Sequence, residues 1–139
     1  MLRAVLDANV IISALIQPKG ASGRIVASLL EKSSFELVVS PAILAEIRRS
    51  LTYPKVRKYI KTSDEDMALA VAALALVAQP VEGSLRVNAV AEDPDDNKYL
   101  EAALEGRAQF IVTGDSHLKS LNSYRGIRIV TPRSFLELI

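Results

Sequence analysis

The residues best suited to chemistry in this chain are acids. Asp7 lies in the apolar run "VLDANVIISAL", Glu46 in "SPAILAEI", Asp95 and Asp96 in "DPDDNKYLEAAL", and Asp115 in "FIVTGDSHL". An ionised carboxylate taken out of water without a partner costs several kcal/mol or shifts its pKa. The chain must therefore either turn to the surface at Asp7 or bring something positive to it. Carboxylates that converge repel one another, and a bound cation relieves that repulsion. Zinc usually takes His or Cys ligands, and this chain has a single His, at position 117, and no Cys. An oxygen-only set suits Mg²⁺ or Mn²⁺, as one or two ions. Such ions activate water and steady the leaving oxygen in phosphodiester cleavage. Other chemistries lack their parts. Ser116 and His117 are adjacent but no nucleophile elbow is present. No Walker loop or Gly-rich dinucleotide fingerprint occurs.

Topology decides whether those acids can meet. Short apolar runs at 2–6, 35–40, 108–113 and 126–130, with a weaker one at 79–83, read as strands covered on both faces. Helical stretches fall between them with start signals. Ser22 precedes "GRIVASLLEK", and Ser40-Pro41 opens "AILAEIRRSL". Thr62 or Ser63 precedes "DEDMALAVAALALVA". Asp93-Pro94 opens a helix that Gly106 closes, and Thr131-Pro132 opens "RSFLELI". Alternating strands and helices predict an α/β layered fold, a single domain over 1–139. In open α/β sheets, sites form beyond the carboxyl ends of the strands. Asp7 follows the first strand and Asp115 follows a later one, so both fall at one edge. Glu46 and Asp96 join them if their helices lean that way.

Each acid also has a plainer use. Asp93 and Asp115 are placed as N-caps, and Asp96 stands three residues after Asp93 like the far end of a capping box. Glu46 taken alone is a solvated helix residue. Asp7 is the hardest to assign to capping alone, because its neighbours are so apolar.

The bulk properties add bounds. A chain of 139 residues, half of them apolar, can build a core. The net charge of +1 does not mark a protein that binds nucleic acid by overall basicity. The longest apolar run, at 67–78, is too short to span a bilayer. The N-terminal run lacks the pattern of an export signal, so a cytoplasmic location is expected.

The four quoted segments, in that order and at that spacing, resemble the PIN-domain family over 2–132, and among its members the VapC-like toxins of prokaryotic toxin–antitoxin pairs. The resemblance implies a three-layer α/β/α fold around a parallel sheet and a metal-dependent endoribonuclease leaving 5′-phosphate and 3′-hydroxyl ends. It places the family's four acids on Asp7, Glu46, Asp96 and Asp115, with Asp95 able to assist through water. Asp7 and Asp115 are the expected direct ligands, Asp96 completes the set, and Glu46 ligates or orients water. Asn9 and Thr113 are expected to hold carboxylates by hydrogen bond, and Ser13, one turn beyond Asn9, is a further candidate.

RNA must then reach an acidic pocket. The segment at 48–61 holds Arg48, Arg49, Lys55, Arg57, Lys58 and Lys61 without an acid, interleaved with Tyr53 and Tyr59. It is either a phosphate track, a solvated face, or a contact for another protein chain. Lys19 and Arg24 are further candidates for phosphate contact, whereas His117 reads as a surface or capping residue. The resemblance also implies a homodimer or higher homo-oligomer and an antitoxin partner. The Ala-rich helix at 67–78 suits such a surface, or burial in the core. Two rivals stand beside the nuclease. A phosphotransfer receiver needs a Lys after the last strand, and "IRIVTPRS" has none. A PIN-like module that binds RNA or protein without cutting differs only in activity.

Overall fold

The Val- and Ile-rich runs do form strands, and the computed structural model describes residues 1–90 and 93–139. The strands are β1 (Arg3–Leu6), β2 (Glu36–Val39), β3 (Gln79–Pro80), β4 (Phe110–Val112), β5 (Ser123–Tyr124) and β6 (Ile127–Val130). They make a six-stranded sheet in the order β3-β2-β1-β4-β6-β5. All neighbours pair in parallel except β5, which runs antiparallel to β6. The expected parallel sheet thus gains a short antiparallel edge strand. In β1, consecutive Ala4, Val5 and Leu6 are all buried, as are Phe110, Ile111 and Val112 in β4. Neighbouring strand residues point to opposite faces, so both faces are covered, as in an α/β/α sandwich.

The helices are α1 (Ala8–Ile16), α2 (Ala21–Lys32), α3 (Pro41–Ser50), α4 (Pro54–Arg57), α5 (Asp64–Val77), α6 (Asn97–Glu105), α7 (Ser116–Leu121) and α8 (Pro132–Leu138). Several start signals act as read. The hydroxyls of Ser40, Ser63 and Thr131 accept the N–H groups of Ile43, Asp66 and Ser134. Others differ. The second helix starts at Ala21 behind Gly20, so Ser22 lies inside its first turn. Asp93 precedes a 3₁₀ turn (Pro94–Asp96), and its side chain caps nothing. The reason is that Pro94 and the tight turn let Asp93 satisfy Asp96 N–H with its backbone carbonyl, at 3.0 Å. Gly106 ends α6 at φ −88°, and the left-handed residue is Arg107 at φ 56°. Gly106 is needed for space instead: a Cβ there would stand 2.4 Å from Cγ1 of Val38.

The core joins both layers. Helix α6 packs on β1, β2 and β4, while α2 packs against α1, α5 and α8. Phe135 of α8 meets Phe35 and Phe110 edge-on. Helix α5 contributes less than its composition suggests. It buries Val71 and Leu74 but leaves Leu69 and Leu76 61% and 86% exposed. No helix among the described residues is long and apolar enough to cross a membrane.

Residues 82–90 have no ladder of their own, and side chains of α6 accept many of their N–H groups. Asn97, Glu101 and Glu105, four residues apart, line one helix face. Asn97 Oδ1 accepts from Ala89 and Val90, and Glu101 from Val87. Glu105 takes four successive N–H groups, those of Glu82, Gly83, Ser84 and Leu85, at 2.8–3.2 Å. Desolvation pushes its carboxyl upward, but the N–H groups of Leu85, Gly83, Glu82 and Ser84 outweigh that and hold its pKa below the ordinary value. The clamp is therefore complete above the usual carboxylate pKa and lost as pH falls through the lowered one. Glu105→Ala is expected to abolish slow hydrogen exchange at amides 82–85 with little change in the unfolding midpoint. NMR exchange measurements check this; full protection in the variant would contradict it.

Candidate metal centre

The sheet order reverses around β1. The chain leaves β1 toward β2 and β3 on one side, while β4 and β6 lie on the other. Between β1 and β4 the outgoing loops diverge, which opens a crevice at the carboxyl ends of two parallel strands. Asp7 ends β1 and Thr113-Gly114-Asp115 ends β4. The ladder carries them into register: Asp7 N–H donates to Val112 O at 3.0 Å, and Thr113 N–H to Val130 O at 2.9 Å.

Asp7 is buried and is also the N-cap of α1. Its Oδ1 accepts Asn9 N–H at 3.0 Å and its Oδ2 accepts the Thr113 hydroxyl at 2.6 Å. The fully buried Thr113 oxygen in turn accepts Asp115 N–H at 2.9 Å, and Asp115 Oδ1 caps α7 through Leu118 N–H at 3.0 Å. One hydroxyl thus ties the acid of β1 to the acid of β4. What meets Asp7 is a set of dipoles, the N-terminus of α1 among them. Among the described residues no Lys or Arg pairs with Asp7, Asp96 or Asp115.

Asp96 approaches from the 3₁₀ turn and is nine-tenths buried. One of its oxygens, Oδ2, has no hydrogen-bond partner. Burial raises its pKa from 3.8 to about 7, helped by a hydrogen bond to Asp115 and by the charges of Asp115, Asp93 and Asp7. A carboxyl raised that far by burial, and further by neighbouring carboxylates, marks a buried place where the protein leaves negative charge unneutralised. Among the described residues, Asp93, Asp96, Asp115 and His117 offer ligand atoms that all lie within 4.8 Å of one another. An orphaned buried oxygen within a group of carboxylates fits a divalent cation.

Glu46 stands to one side of this nest. Its Oε2 accepts the Tyr99 hydroxyl and a 2.9 Å bond from Lys98 Nζ, which also lies 3.6 Å from Asp95. Tyr99 is 1% exposed and accepts Ala8 N–H at 3.2 Å, one residue from Asp7. Burial, the charge of Asp7 and the bond to Glu46 all push its phenol well above its ordinary pKa, so it stays neutral. Glu46 therefore connects to the nest through Tyr99. Asp95 is exposed and turned to Lys98. Asn9 acts on Asp7 by its backbone, with its residue exposed, and Ser13 lines a shallow surface hollow with Gln17 and Thr131. Beside Lys98 opens a cleft of about 690 Å³ that also borders Ser40, Arg86, Asn97 and Glu101. In the basic segment Arg57 is engaged, by an ion pair to Asp64 and a contact to Met67 Sδ at 3.2 Å. Arg48, Arg49, Lys55 and Lys58 are exposed.

Lys98, Tyr99, Asp93 and His117 were not among the site residues expected from the sequence. Tyr99 and Glu46 are 53 positions apart, so only the packing of α3 on α6 reveals their contact. Asp93 and His117 carried a weak signal: each flanks an expected acid, three before Asp96 and two after Asp115.

Comparison with known proteins agrees with this fold. The PIN domain family model matches residues 3–117. The Methanocaldococcus jannaschii protein MJ1680, itself uncharacterized, is 35% identical over 144 residues, covering 98% of this chain and 90% of its own. The crystal structure of VapBC2 from Rickettsia felis, bound to a DNA fragment from its promoter, contains a chain of similar fold. The TM-score is 0.59 at 12% identity, with 94% of this chain and 98% of that one covered. A family match over most of the chain, on a sheet that reverses beside Asp7 and Asp115, makes this protein a member of the PIN-domain family.

Proposed function

We propose that the chain is a divalent-metal-dependent endoribonuclease, the toxin of a toxin–antitoxin pair. The observation that carries the reading is the acid nest at the β1–β4 crevice, with Asp7 and Asp115 tied through Thr113 and an orphaned Asp96 oxygen grouped with Asp115. Asp7, Asp96 and Asp115 would hold Mg²⁺ or Mn²⁺, as one ion or two. The ion supplies charge neutralisation and Lewis-acid activation of water toward phosphorus. Thr113 fixes the Asp7 oxygen and the Asp115 backbone together, so the two acids present a constant spacing. Tyr99 and Lys98 hold Glu46, which would orient a water from the side of the nest. Membership of the PIN family, whose members act as metal-dependent nucleases, supports the reading.

RNA would approach over positive groups. Lys98 and Arg86 border a cleft that also carries Glu82, Asp95 and Glu101, and Arg48, Arg49 and Lys55 are exposed at the end of α3 and beyond it. An antitoxin is supported by the similarity in fold to a toxin–antitoxin complex. It is supported too by an apolar hollow of about 350 Å³ among α1, α2 and α5, bordered by Leu15, Val26, Leu30 and Leu74. The exposed Leu69 and Leu76 suit a second copy or the antitoxin.

The test is cleavage of defined RNA by the purified chain with Mg²⁺ or Mn²⁺ and with a chelator. Cutting that requires the cation supports the proposal; RNA bound but never cut supports a non-cleaving module. Neutralising Arg48, Arg49 and Lys55 together is expected to weaken RNA binding and to reduce the slope of log affinity against log salt by about two. An unchanged slope would assign that surface another role.

A further inference from the structure

We propose that Asp93 and His117 complete, with Asp96 and Asp115, a cation position bearing one nitrogen ligand, which makes this centre favour Mn²⁺ over Mg²⁺. The inference rests on the nuclease reading for its use in catalysis, and on geometry for the site itself. Two backbone segments each supply a pair: Asp93 precedes the 3₁₀ turn and Asp96 ends it, and Asp115 and His117 open α7. Their ligand atoms lie within 4.8 Å of one another.

Two features set this group apart from an ordinary acidic surface. Asp96 is nine-tenths buried, and its Oδ2 meets no hydrogen-bond donor, with the carboxylates of Asp93 and Asp115 beside it in the group. Asp93 occupies an N-cap position yet makes no cap bond. Its Oδ2 lies 3.9 Å from His117 Nδ1, within ion-pair range of a protonated imidazole, so a cation bound between them would take the place of that proton. Ligands held at about 2.1 Å from one ion are about 3 Å apart when adjacent and about 4.2 Å apart when opposite, so donors within 4.8 Å of one another need to close in only slightly to share a cation.

The donor set then decides the metal. Three carboxylates alone suit Mg²⁺, which binds hard oxygen and keeps its waters. An imidazole nitrogen in the same set adds little for Mg²⁺ and more for a first-row transition ion. Manganese accepts both ligand types and keeps the octahedral habit. His117 therefore tunes which ion the nest retains.

The test uses the full chain titrated separately with MnCl₂ and MgCl₂ by calorimetry, with pulsed EPR on the Mn²⁺-loaded protein. Mn²⁺ is expected to bind at least about tenfold more tightly than Mg²⁺, with a ¹⁴N coupling to the bound ion. His117→Gln is expected to lose that coupling and about tenfold in Mn²⁺ affinity, while Mg²⁺ affinity stays within about twofold. The EPR signal of the unmodified chain needs no variant to fold, and a thermal melt of His117→Gln controls for its stability. Bound Mn²⁺ without nitrogen coupling overturns the inference and leaves the nuclease reading standing. Nitrogen-coupled Mn²⁺ on a chain that never cuts RNA upholds the inference and removes the nuclease. Failure to bind either ion overturns both.

Discussion

Asp7→Asn is expected to lower RNA cleavage in Mg²⁺ or Mn²⁺ by on the order of 10⁴-fold, the scale seen when one member of a cooperating catalytic set is removed. The fold should survive. Asn is as good an N-cap as Asp, so its carbonyl oxygen can still accept Asn9 N–H at the head of α1. The Thr113 hydroxyl hydrogen can turn away so that its oxygen accepts from the new amide N–H as well as from Asp115 N–H. Losing the Asp7 charge also removes one of the repulsions that raise the Asp96 pKa. Unfolding of the metal-free variant should therefore come no earlier than that of the parent chain. A cleavage assay on nuclease-free preparations, run beside a thermal melt, checks both halves. Undiminished cleavage would remove Asp7 from the reaction. Lost cleavage together with lost folding would make its role structural.

The second large effect is a proton traded for a cation. Asp96 has a folded-state pKa of about 7 against 3.8 for the free side chain, chiefly through burial and then through Asp115. Between those values the folded chain holds a proton that the unfolded chain releases. The favourable share of Asp96 is thus complete below about 4 and lost as pH rises through about 7, so the metal-free protein should melt progressively earlier from pH 5 to pH 8. A divalent cation must displace that proton, so its apparent affinity should climb by up to about tenfold per pH unit below pH 7 and level off above it. Saturating Mn²⁺ should then erase the early melting at high pH. Calorimetry at pH 6 in two buffers of different ionisation enthalpy reads the proton count directly. At least about one proton released per binding event is expected, with any proton held by a ligating His117 adding to it, and none released would show that Asp96 is not where the ion goes.

Much of this arrangement could be read along the chain. Strand runs that end in Asp7 and in Thr-Gly-Asp115 are local features, and the rule that sites form beyond the carboxyl ends of strands needs no knowledge of packing. Ser40-Pro41 opening α3 was likewise local, and it places Glu46 one turn and a half into that helix. What escaped was whatever depends on two elements meeting. The neutral Tyr99 phenol links Glu46 to the head of α1 only because α3 and α6 pack together. Lys98 reads as a solvated helix residue until Glu46 and Asp95 come to either side of it. The first helix was masked because its N-cap, Asp7, doubles as the candidate ligand and the residues after it are almost continuously apolar. The segment at 82–90 had no hydrophobic period to find, since its order comes from the Asn97, Glu101 and Glu105 side chains. His117 looked like a surface residue because its placement beside Asp93 depends on how the 3₁₀ turn faces α7.

The account depends on a cation seated where the ends of β1 and β4 part. Anomalous diffraction from crystals soaked in Mn²⁺ tests that most directly. It should show a strong peak within bonding distance of carboxylate oxygens from Asp96 and Asp115, with Asp7 beside it. Fully soaked crystals with no peak there, or with peaks only on acids elsewhere on the surface, would contradict it.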